Sequence, residues 1–120
     1  MRYYDELATY QRDGFEIIVD KSYEDLSPRD CFDDSVTDIE EICRKIDSYD
    51  LDWFMLRVRV LLDGHELGSH YLGGCLYERA ADVLTDGTAE DCIYEAIAEA
   101  RKEARRLVGS LNKVLDTEAV

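Results

Sequence analysis

The tightest constraint in this sequence is the stretch from Trp53 to Tyr77, WFMLRVRVLLDGHELGSHYLGGCLY. An apolar, β-branched run meets Asp63-Gly64 and is followed by a second, half-apolar run. Asp-Gly suits the two-residue turn in which both central residues take positive φ, and the twist of that turn matches antiparallel strands. The spacing therefore predicts a β-hairpin. Successive strand side chains alternate, so Phe54, Leu56, Val58 and Val60 share one face, and Met55, Arg57, Arg59 and Leu61 the other. One face is wholly apolar and has to be covered; the other carries two arginines.

The remaining segments supply partners and cover. Phe15–Tyr23, FEIIVDKSY, places Phe15, Ile17 and Val19 on one side and predicts a third strand. Residues 1–13 fit either periodicity: Tyr3, Leu7 and Tyr10 sit at helical spacing, the tyrosines and threonine suit a strand, and Asp13-Gly14 ends either. An acidic loop over residues 24–34 holds the single proline, Pro28. Ser35 with Asp38 then resembles a capping box, and Val36, Ile39, Ile42, Cys43 and Ile46 form an apolar helical stripe. A short helical piece, Glu78 to Leu84, stops at Asp86-Gly87. Thr88 caps a long helix whose stripe runs through Ile93, Ala96, Ile97, Ala100, Ala104, Leu107, Val108 and Leu111, with fraying expected past Lys113. The expected fold is a single two-layer α+β domain over residues 1–120. Its small, mostly antiparallel three-stranded sheet carries helices on one face, in the order β-α-β-β-α.

At 120 residues and 46% apolar composition the chain can bury a core without metal or disulfide staples. The N-terminus, MRYYDELATYQRDG, has acids where a signal peptide would be basic and then apolar, and no run reaches the roughly 18 apolar residues of a span, so a cytoplasmic location is expected. Cys31, Cys43, Cys75 and Cys92 then read as reduced thiols without a C-x-x-C pair. His65, His70 and Cys75 alternate faces of a strand and lack a fourth ligand, so no metal is expected. Gly68 and Gly73-Gly74 lack the Lys-Ser/Thr of a phosphate loop and predict a bulge or strand end. The acidic loop lacks the spacing of a calcium-binding EF-hand, and no carboxylate pair has an evident catalytic partner. Neither a cofactor nor an enzymatic activity is expected.

Charge carries the functional content. The chain has 28 acids and 14 bases, a net charge of −14. Residues 20–52 hold a net −8 and residues 79–100 a net −5, whereas residues 101–120 hold +2. A field of this kind repels nucleic acid and anionic membranes and attracts basic surfaces. Acids four apart on a helix lie about 6 Å apart along its axis, and duplex DNA carries about one charge per 1.7 Å. A dense row of Asp and Glu can therefore occupy a cleft built to hold phosphates.

The segments ELGSHYLGGCLY (Glu66–Tyr77) and AEDCIYEAIAEARK resemble parts of small proteins carried by phages and mobile elements. The resemblance implies a counter-defence role of the anti-CRISPR or antirestriction type, some members of which are acidic and imitate DNA. No residue roles carry over. The reading is of an acidic binding protein that inhibits a basic nucleic-acid-binding protein or complex, without binding nucleic acid or membrane itself. Its contact residues are expected to be Glu24, Asp25, Asp30, Asp33, Asp34, Asp38, Glu40 and Glu41. Two alternatives are an immunity or antitoxin protein that neutralises a basic toxin, and an oligomeric structural protein, with a homodimer in view through the hairpin edge or the long helix.

Overall fold

The computed structural model describes residues 2–32 and 38–118. Both Asp-Gly pairs make hairpins. Asp13 and Gly14 take φ of 55° and 86°, and Asp63 and Gly64 take 51° and 82°, the conformation for which this dipeptide is selected. The first turn joins β1 (Asp5–Arg12) to β2 (Phe15–Tyr23), and the second joins β3 (Asp52–Leu62) to β4 (His65–Tyr77). β2 pairs with β3, so the strands form one antiparallel four-stranded sheet in the order β1-β2-β3-β4.

The three-stranded sheet and the order β-α-β-β-α expected from the sequence are thus corrected to four strands and an order that opens β-β before the helices, because residues 5–12 pair rather than coil into a helix. Their apparent helical spacing has a local cause. The register between β1 and β2 shifts between Glu6 and Ala8, and this bulge inserts an extra residue that turns Leu7 as well as Tyr10 toward the core. A period of two interrupted in this way gives an i, i+3 pair.

Between the hairpins lie α1 (Pro28–Cys31) and α2 (Ile39–Asp47). α2 begins with Asp38 as its N-cap, the carboxylate accepting from the Glu41 amide at 3.1 Å. The helix therefore starts later than the Ser35 cap predicted; Ser35 and Val36 lie outside the described residues. After β4, a 3-10 turn (Ala80–Leu84) leads to α3, Thr88–Glu118, which continues beyond Lys113.

The core lies between one face of the sheet and the first half of α3. Ile17, Val19, Leu56, Val58 and Val60 are fully buried against Ile93, Ala96 and Ala100. The closest approach is at Gly68, where a Cβ would stand 2.5 Å from the Ala96 carbonyl oxygen and 2.6 Å from the Ala100 nitrogen. A strand backbone and a helix backbone touch there, which requires glycine on one side and alanine on the other.

The opposite face of the sheet centres on an ion-pair group. Asp20 is 3% exposed; its carboxylate accepts from Arg57 Nε at 2.8 Å and Nη2 at 2.7 Å, with Arg59 at 3.5 Å. The Tyr4 ring covers the Arg57 guanidinium at 3.4 Å. Both arginines anticipated on this face are therefore committed to one buried carboxylate. β4 ends the sheet as a free edge interrupted by two register shifts, the first beside Gly74 at φ 67°. Bulges of this kind twist an edge away from unwanted pairing.

Candidate polyanionic contact surface

The loop after β2 is tied down from several directions. Glu24 accepts from the Gly74 amide at 2.7 Å and from the Leu26 amide at 3.2 Å. Trp53 donates its indole N–H to the Leu26 carbonyl at 2.8 Å. Ser27 caps α1 by accepting from the Arg29 amide at 3.2 Å, with Pro28 in the first turn, where its missing N–H costs nothing. The acids of this segment therefore sit on a built scaffold, but most of them are occupied.

Asp25 pairs with Arg2 at 2.5 Å. Glu40 pairs with Arg29, and Glu41 receives two bonds from Arg44, at 3.0 and 2.5 Å. The guanidinium bonds hold the Glu40 and Glu41 carboxyls below their ordinary range. Asp38 is spent on the α2 cap and Glu24 on β4. Asp30 is exposed in the first turn of α1 and carries no ion pair among the described residues. Asp33 and Asp34 lie outside the described residues. Of the eight expected contact acids, six are thus placed, and three of these have an arginine beside them. Half of the placed acids therefore have their charge opposed by a neighbouring guanidinium.

A second set of acids lies on α3, where the sequence reading located charge but named no contact residue. Asp91, Glu95 and Glu99 are exposed, sit one turn apart on a single ridge, and have no ion pair among the described residues. Their neighbour Glu90 differs, being gripped by Arg12 at 2.7 and 3.1 Å and held below its ordinary range by those bonds. An i, i+4 carboxylate row follows from the helical repeat once the buried face is fixed by Cys92, Ile93, Ala96 and Ala100. The usable signal in the sequence was periodicity applied to the acids as well as to the hydrophobes.

The ridge borders a groove along β4. One part, about 510 Å³, is lined by His70, Leu72, Thr88, Asp91, Tyr94 and Glu95 among others. A neighbouring part, near α1, brings Phe32 against Leu72, Gly74, Cys75 and Thr88. The loop bearing Asp30 and the start of the acidic ridge therefore meet at the same end of β4. Farther along, Glu66, Glu99 and Glu103 face Lys102 and Arg106, and the field weakens.

Spacing bears on what such a ridge can imitate. One carboxylate per helical turn is one charge per about 6 Å, close to every second phosphate of a single DNA strand at about 3.4 Å each. The buried thiols offer no comparable chemistry. Burial pushes the Cys75 thiol up to about 11 and also raises Cys92, so both stay protonated at neutral pH. Among the described residues no group of three or more His, Cys, Asp or Glu could hold a metal ion, and no helix is long and apolar enough to cross a membrane. Comparisons with protein-family models, curated proteins and solved structures return no match.

Proposed function

We propose that this protein is an acidic inhibitor of a nucleic-acid-binding complex, of the anti-CRISPR or antirestriction type, and that it occupies the partner's phosphate-binding cleft with a polyanionic surface. The observation that carries this reading is the ridge Asp91, Glu95 and Glu99: three exposed carboxylates in line, one turn apart, with no ion pair among the described residues, Lys102 and Arg106 lying beside the last of them. The proposed surface extends past Leu72 and Phe32 to Asp30 and the 24–41 acids. Exposed ion pairs such as Arg2–Asp25 and Arg29–Glu40 contribute little to stability, so a partner's arginines can take them over at small cost. Association would be fast and strongly salt-dependent, because charge steers the encounter.

The test is DNA binding and cleavage by a panel of CRISPR effectors and restriction enzymes, with and without this protein. The triple variant Asp91→Lys, Glu95→Lys, Glu99→Lys should lose inhibition while keeping the wild-type unfolding transition. Reversal of Asp30, Glu40 and Glu41 should weaken inhibition less. A triple α3 variant as potent as wild type would rule out the ridge as the contact surface.

A further inference from the structure

The stripe of α3 that meets the sheet does not stop where the sheet stops. It passes from Ile93, Ala96, Ile97 and Ala100, all buried, to Ala104 and Leu107, half-buried, and then to bare side chains. Val108 is 57% exposed, Leu111 56%, Val114 66% and Leu115 58%. The helix has 31 residues, about 46 Å at 1.5 Å per residue, and the molecule measures 68 × 27 × 25 Å. The last three turns, from Val108, project beyond the sheet. A projecting helix of that length is marginal in water unless its apolar face is covered.

We infer that a second copy of this chain covers it, the two α3 projections packing antiparallel about a twofold axis near Leu111. Three features fit this occupant. The stripe is symmetric about Leu111, so the axis sets Val108 level with the partner copy's Val114 and Leu107 level with its Leu115. Charge is complementary in the same register: Arg106, bonded within its own helix to Glu103 at 3.0 and 2.5 Å, lies level with the partner copy's Asp116, and Ser110 and Asn112 keep the centre neutral. A parallel pairing would instead set Arg105, Arg106 and Lys113 against their own copies. Area fits as well: two such stripes bury on the order of 1,000 Å², the size of weak, transient interfaces, so the dimer forms only at high protein concentration.

Sedimentation equilibrium of the full chain over roughly 1 to 200 µM tests this. The wild type should rise from 13.8 kDa to twice that mass. Leu111→Glu should remain monomeric throughout, with Cys75 and Cys92 still shielded from thiol reagent as evidence of an intact core. Arg106→Glu should weaken dimerisation severalfold, and adding Asp116→Arg to it should restore it. A wild type that stays monomeric overturns the proposal and leaves the stripe to a different protein. A dimer that Leu111→Glu does not dissociate overturns the interface, and failure of the charge swap to restore association overturns the antiparallel register.

Discussion

Gly68→Ala is the substitution that most directly probes how the sheet and α3 are held together. The added Cβ would stand 2.5 Å from the Ala96 oxygen and 2.6 Å from the Ala100 nitrogen. Ordinary contact begins about 0.9 Å farther out than the shorter of these. The obstructing atoms are helix backbone, so no rotamer change relieves the clash, and α3 has to withdraw as a body. Ala96 and Ala100 are both 0% exposed, and withdrawal opens the packing of Ile93 and Ile97 on the strands. Overpacking of a close-packed core costs about 1–3 kcal/mol, and backbone obstruction puts this site at the upper end. For a domain of this size, ~3 kcal/mol lowers Tm by roughly 10 °C. Urea unfolding followed by circular dichroism measures it, with the slope expected to be unchanged. Gly109→Ala is the matched control. A Cβ there meets nothing within 4 Å, and alanine gains about 0.5–1 kcal/mol over glycine in a helix, so helicity should rise. If Gly68→Ala were as stable as wild type, the backbone contact at Ala96 and Ala100 would not exist in solution.

Three further outcomes follow from single contacts and exposures. Arg57→Ala leaves Asp20 buried with only Arg59 at 3.5 Å and should cost about 3 kcal/mol in urea unfolding, whereas Asp20→Ala with Arg57→Met should cost less, because no buried charge is stranded. The Asp86 carboxyl is held below its ordinary range by the Tyr77 hydroxyl at 2.6 Å and the Thr88 amide at 2.9 Å. Its contribution is full above about pH 4 and lost as pH falls through the folded-state value, so Tyr77→Phe should flatten the acid limb of a stability–pH profile; an unchanged limb would exclude this bond as a source. Thiol titration of the native protein at mildly alkaline pH should modify exposed Cys31 readily and half-buried Cys43 more slowly, and leave Cys75 and Cys92 untouched until denaturant is added.

The hairpin was legible because its information is local: an Asp-Gly turn between alternating runs fixes both register and buried face. The stripe of α3 was legible for the same reason. β1 was hidden by a single bulge, which shifts the phase of a strand and is invisible to a test for strict alternation. The start of α2 was misplaced by a turn because Ser35 and Asp38 are both good caps, and only the structure selects Asp38. For the acidic segments, the sequence shows where acids are frequent but not which of them are paired. Arg2 reaches Asp25 across 23 residues and Arg12 reaches Glu90 across 78, and no local pattern records such distances. The ridge of Asp91, Glu95 and Glu99, with no ion pair among the described residues, is recognisable only once the arginines are assigned.

The Asp20–Arg57 bond has a consequence for how the chain selects its pairing during folding. Val19 and Asp20 are adjacent, so sliding the second strand by one position against the third would drive a carboxylate into the hydrocarbon layer and bring a valine out beside the guanidinium groups. Apolar alternation alone penalises that error once; the charge penalises it a second time. Each hairpin carries its own turn signal in Asp-Gly, and the buried carboxylate sets the register in which the two are joined.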